Sequence, residues 1–142
     1  MSQEHTVERV SEHVGQVVTL RGWVYNKRSS GKIRFLLLRD GTGLIQCVFL
    51  KNEVPEAAFE LADSLTQESA VAVTGTVRED KRSPGGFELT ASNLELIGLA
   101  EPYPITPKEH GVDFLMQNRH LWLRSQRQFA VLRIRSEMVK AF

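Results

Sequence analysis

Three features of this 142-residue sequence predict a mainly β protein with one internal helix. Apolar and polar residues alternate with a period of two over five separate stretches, as half-buried strands require. One stripe of helical period falls between the third and fourth stretches. Clusters of Gly, Ser, Asp and Asn separate the stretches and supply the backbone conformations of turns.

A short helix is expected first. Val7, Val10 and Val14 stand at helical spacing behind Thr6 as N-cap, and Gly15 ends it. From Val17 the period becomes two. Val18, Leu20, Gly22 and Val24 point one way; Val17, Thr19, Arg21, Trp23 and Tyr25 point the other. A turn over residues 28–32 leads to a second strand, 33–40. There Arg34, Leu36 and Leu38 share one face, with Ile33, Phe35, Leu37 and Arg39 on the other. Asp40, Gly41, Thr42 and Gly43 form a hairpin signal before strand three, 44–50. On that strand Ile45, Cys47 and Phe49 point inward, and Gln46 and Val48 outward. Pro55 suits the first turn of the helix, and Ala58, Phe59, Ala62 and Leu65 make its apolar stripe. Strands over 70–78 and 87–97 follow, joined by a charged, Gly-rich loop. Three strands, a helix and two strands form the pattern of a five-stranded OB-fold barrel, whose strand 2–3 face binds oligonucleotides.

Residues 100–113 hold three of the five prolines and read as a semi-rigid hinge. Ser125 and Gln128 then make a capping box for a C-terminal helix. Its stripe of Val131, Ile134 and Met138, with Leu132 and Val139 beside it, still runs at Phe142 without a cap. The expected organisation is therefore an OB-fold domain over 1–99, a hinge over 100–124, and a helix over 125–142 that leads into a further domain.

Composition narrows the chemistry. Lys and Arg number 18 against 17 Asp and Glu, so bulk charge does not announce a nucleic-acid binder, and position must decide. Cys47 is the single cysteine, which excludes an internal disulfide, and the four histidines are too scattered for a metal site. No apolar stretch approaches a membrane span, and the first ten residues lack a signal peptide's apolar core, so a soluble, cytoplasmic protein is expected. No phosphate-cradling glycine motif or nucleophile–base spacing suggests catalysis.

Phe35 lies where an ordinary solvated strand shows a polar residue, and Gln46 shares its surface. Single-stranded nucleic acid suits such a pair: a base stacks on the ring and the amide reads its edge. The other reading makes Phe35 the filler of a secondary core beneath a loop. Lys27, Arg28, Lys32, Arg34 and Arg39 cluster around this face, with Arg21 before them and Arg78, Lys81 and Arg82 after. They form either a phosphate-tracking rim or an ordinary charged surface. Glu88 is either a base reader or a plain surface acid, and its chemistry alone favours the latter. Trp23 and Tyr25 can join the face or close the barrel end, with a structural role favoured for Trp23. Cys47 reads as core. A second basic run (Arg119, His120, Arg124, Arg127, Arg133, Arg135) either pairs with acids of a missing domain or touches nucleic acid.

Several runs resemble one family. They are Arg-Gly-Trp-Val at 21–24, Asn-Lys-Arg-Ser-Ser-Gly-Lys at 26–32, Phe-Leu-Leu-Leu-Arg-Asp-Gly-Thr-Gly at 35–43, and Ile-Gln at 45–46. Together they are similar to the anticodon-binding OB domain of the class II aspartyl, asparaginyl and lysyl tRNA synthetases. Residues 114–125 and 129–136 look like the asparaginyl branch, where the aspartyl and lysyl branches carry an Arg-Tyr-Leu-Asp-Leu type of segment.

The resemblance implies that Phe35 stacks on the central anticodon uracil and Gln46 hydrogen-bonds it. It further implies that Glu88 approaches the third base, and that Arg28 and Arg78 approach the anticodon loop. Lys27 and Arg21 complete the expected nucleic-acid-binding set. It implies no cofactor for these residues, with ATP and Mg2+ serving a catalytic domain that follows them. The whole enzyme would attach asparagine to its transfer RNA and dimerise through that domain. A free-standing single-strand binder, a protein-interaction module using the C-terminal helix, and an aspartyl enzyme accepting both transfer RNAs are the competing expectations.

Overall fold

The computed structural model describes residues 5–142. Contacts divide the chain into two compact units, the first ending at Pro102 and the second spanning Tyr103–Phe142.

In the first unit five strands form one sheet that closes on itself: β1 (Val17–Ser30), β2 (Ile33–Arg39), β3 (Leu44–Leu50), β4 (Ala70–Glu79) and β5 (Phe87–Gly98). Around the ring the order is β1, β2, β3, β5, β4. β1 is long enough to serve two neighbours. Its first half pairs with β4 from Val17↔Thr76 to Trp23↔Ala70, and its second half with β2 from Trp23↔Arg39 to Ser30↔Ile33. All contacts are antiparallel except the closing one, in which β3 and β5 run parallel over Gln46↔Glu88, Cys47↔Leu89 and Val48↔Thr90.

The inward faces follow the period-two pattern. Val18, Leu20, Val24, Leu36, Leu38, Ile45, Cys47 and Phe49 meet Val71, Val73, Val77 and Leu89 in a core sealed by α1 (Glu56–Ser64). Ala58, Phe59, Ala62 and Leu65 are all buried there, as the helical stripe predicted. Pro55 takes the N-cap position rather than the first turn. Burial of Cys47 strips water from the thiolate and pushes the thiol well above its ordinary range. It should therefore resist a water-soluble thiol reagent in the folded chain and react on unfolding, so that labelling kinetics report the unfolding rate.

Four local expectations need correction. Residues Val7–His13 form a 3₁₀ helix, with Arg9 N–H bonded back to Thr6 O at 3.2 Å. Thr6 does not cap it. Asp40 Oδ2 accepts from Val7 N–H at 2.8 Å and Thr42 Oγ1 from Glu8 N–H at 3.0 Å, so the β2–β3 turn caps the helix. Of Val7, Val10 and Val14, only Val10 is buried. The expected turn over 28–32 shrinks to Gly31 and Lys32, because β1 continues to Ser30 and Gly31 supplies a positive φ of 55°. The alternation on β1 slips at Tyr25: a bulge between Val24 and Asn26 turns Tyr25 inward to 8% exposure. Trp23 stays outside at 40%.

The second unit contains α2 (Val112–Gln117), a 3₁₀ turn at Trp122–Arg124 and α3 (Gln126–Ala141). Ser125 stands at the N-cap of α3 but its side chain makes no capping bond; its carbonyl accepts from Phe129 N–H at 2.9 Å. No α3 residue is buried, and Val131, Ile134 and Met138 are each more than half exposed. Among the described residues no helix is long and apolar enough to cross a membrane.

Candidate nucleic-acid interface

Strand register carries the outward side chains into two parallel rungs. One runs Asn26, Leu37, Gln46, Glu88, Arg78 across all five strands, and the next runs Arg28, Phe35, Val48, Thr90, Thr76. The parallel β3–β5 contact does the essential work here. It sets Gln46 directly beside Glu88, two residues far apart in the chain.

An open hollow of about 150 Å³ lies over these rungs, lined by Asn26, Lys27, Arg28, Phe35, Leu37, Gln46 and Pro84. Phe35 is half-buried and belongs to this lining rather than to the core. The Arg28 guanidinium covers its ring, 4.2 Å from the centroid, and Nη2 of Arg28 donates to Gln46 Oε1 at 3.4 Å. Arg28 thus occupies the face on which a base would stack, at a cation–π cost to any ligand of about 0.5–1 kcal/mol at such an exposed site.

The loop after β4 closes the other side. Asp80 accepts from Arg82 N–H, Ser83 N–H bonds Asp80 O at 3.0 Å, and Asp80 N–H bonds Gly86 O at 3.0 Å. Gly85 and Gly86 both adopt positive φ, 74° and 81°, which lets the chain double back. Ser83 is thereby buried between two rung residues: Gln46 Nε2 donates to its Oγ at 3.4 Å, and the Oγ stands 3.5 Å from Glu88 Oε2. In the sequence Ser83 is one residue of the charged, Gly-rich loop that joins the last two strands. Its signal lay in the following pair of glycines, which a plain connecting loop does not need.

Phe35, Gln46, Glu88, Arg28 and Arg78 therefore come together. Lys27 lies at the hollow's edge with its ammonium directed to the Asp63 carbonyl at the end of α1. Arg21 does not join them. It pairs with Ala72 seven residues before Arg28, about 23 Å along an extended strand. Two other arginines of the expected rim are structural. Arg34 lies over the Phe59 ring and pairs with Asp63 at 2.6 Å, holding that carboxyl below its ordinary range, with help from Ser29 Oγ at 3.0 Å. Arg39 forms a fork on Glu68, at 2.8 and 2.7 Å.

A small closed β domain with aromatic, amide and cationic groups on one outward face has the form of a single-strand nucleic-acid binder. Residues 18–97 match the family of the OB-fold nucleic acid binding domain, and the chain belongs to that family. It is 58% identical to the asparagine–tRNA ligase of Chloroflexus aurantiacus over 136 residues, which is 96% of this chain and 31% of that protein. The asparagine–tRNA ligase of Thermus thermophilus is 56% identical over 95% of the chain and 31% of its own length. The solved asparaginyl-tRNA synthetase of Pyrococcus horikoshii, complexed with asparaginyl-adenylate, superposes with a TM-score of 0.88. It shares 37% identity over 99% of this chain and 33% of that one. The chain thus spans about a third of the length of these relatives.

Proposed function

We propose that this chain is the anticodon-binding domain of an asparaginyl-tRNA synthetase and that its outward rungs grip a transfer RNA anticodon loop. The observation that carries the reading is that Phe35 and Gln46 line one open hollow, with Glu88 paired beside Gln46 on the neighbouring strand. In this reading the central uracil stacks on Phe35 after Arg28 moves aside, and the Gln46 amide bonds its Watson–Crick edge. Glu88 accepts from the third base, while Arg28, Arg78 and Lys27 offer cations to the loop phosphates.

The whole enzyme would use ATP and Mg2+ to attach asparagine, act in the cytoplasm, and dimerise through a catalytic domain following the hinge. No residue here is assigned to ATP or Mg2+. Among the described residues no cluster of three or more His, Cys, Asp or Glu could hold a metal. The proposed division is an OB-fold barrel to residue 99, a linking segment over 100–124, and a first helix of the next domain over 125–142.

A fluorescence titration with anticodon stem-loops at two salt concentrations tests this. Loops carrying the asparagine or aspartate anticodon share their first two bases and should both bind, more weakly at high salt, while a purine at the central position should weaken binding. Phe35→Ala should cost about 1–3 kcal/mol of RNA binding with little change in melting temperature, since the ring lies outside the core. Equal binding of all loops would reduce the chain to a sequence-tolerant single-strand binder.

A further inference from the structure

Ser83 has no part in the reading just given, yet it is 7% exposed in an otherwise charged loop and sits between the two polar groups assigned to the bases. A hydroxyl has one proton and a carboxylate can only accept, so the Ser83 proton points to Glu88 Oε2. Its lone pairs are then left for Gln46 Nε2. At the other end of the amide stands Arg28, which has donors only and therefore meets Oε1. In the free chain the amide is held at both ends with opposite polarity, and once Arg28 has moved off the Phe35 ring the Ser83 bond holds it. Turning it over would set its NH2 against a guanidinium and its oxygen against the Ser83 lone pairs.

We propose that Ser83 is a specificity-determining positioning residue: it passes the polarity of Glu88 to Gln46, locking the amide so that the site accepts uracil on Phe35 and rejects cytosine. The proposal rests on the anticodon reading above and names how its central base is chosen. Uracil offers a donor at N3 and an acceptor at C4, whereas cytosine offers an acceptor at N3 and a donor at C4. An amide free to rotate satisfies either edge by exchanging its oxygen and nitrogen. A locked amide presents its remaining lone pair and its remaining N–H in one order only. The two bonds that lock it are long, so their contribution lies in direction more than in strength. The penalty for the wrong base comes from facing like with like.

The test uses the 142-residue chain and two stem-loops that differ only in a central uracil or cytosine. S83A, which removes the hydroxyl, should bind the uracil loop almost as before and the cytosine loop better. The uracil-to-cytosine ratio should fall about five- to tenfold. S83T restores the hydroxyl and should keep the wild-type ratio. Melting curves of each variant establish that the loop change has not unfolded the domain. A wild-type ratio retained in S83A, even with both affinities equally reduced, would overturn the proposal and leave Ser83 a loop residue. Failure of the wild-type chain to separate the two loops would be a different result. It would remove the base-reading function of Gln46, and this proposal with it.

Discussion

Replacing Arg39 by alanine is expected to lower folding stability by about 3–5 kcal/mol, the usual cost of breaking a buried pair from one side. The guanidinium holds Glu68 through two short parallel bonds, 2.8 and 2.7 Å, and Glu68 is only 8% exposed. The location matters as much as the bonds. Beside the Tyr25 bulge β1 leaves β4 for β2, and there Val24 N–H bonds Ser69 O at 2.9 Å while Glu68 N–H bonds Val24 O at 2.7 Å. Glu68 also has a φ of 70°, a strained backbone for a residue with a Cβ, so the fork holds a conformation the chain would otherwise leave. Chemical denaturation would show the loss as a lower midpoint. Lysine at the same position should recover only part of it, because an ammonium cannot make the bidentate contact. An unchanged midpoint in the alanine variant would mean that the pair does no more than offset its own desolvation.

A second large loss, about 3 kcal/mol, is expected for Gly75→Ala. A Cβ built at Gly75 would lie 2.3 Å from Thr90 O and 2.8 Å from Ala91 Cα, both backbone atoms that cannot step aside. Gly75 sits where the β4–β5 register shifts, so the two strands cross closely and a side chain would force them apart. The displaced segment is the one that carries Thr90 and, two residues earlier, Glu88. RNA binding per folded molecule should therefore fall together with the melting temperature. A variant that lost stability but bound the loop normally would show that β5 absorbs the strain without moving its reading end.

Most of the barrel was legible because its signal is periodic. Leu36 and Leu38 against Phe35, and Cys47 against Gln46, sort to two faces by alternation alone, and the structure keeps each on its expected side. What the sequence obscured depends on partners far along the chain. Arg34 and Arg39 looked like members of a phosphate-facing rim, but Asp63 and Glu68 claim them, and nothing near either arginine announces those acids. Alternation assigns Tyr25 to the outer face because a bulge cannot be seen in a pattern that assumes its own regularity. Thr6 and Ser125 have the residue types of caps, yet Asp40 and Thr42, held by a neighbouring turn, do the capping in the first case. Ser83 was hidden for the same reason: its two neighbours reach it only after the sheet has closed.

That closure rests on a short seam. β3 and β5 meet over just three residue pairs, and the first of them is Gln46 with Glu88. On the proposed reading, the pairing that shuts the cylinder and the side chains that read the ligand share the same stretch of backbone. A brief parting of this seam, which leaves the antiparallel ladders of β1 with β2 and with β4 untouched, separates amide from carboxylate and blanks the message while the molecule still counts as folded. An RNA loop lying across both strands would act as a clasp on that seam, so that occupancy and closure strengthen each other.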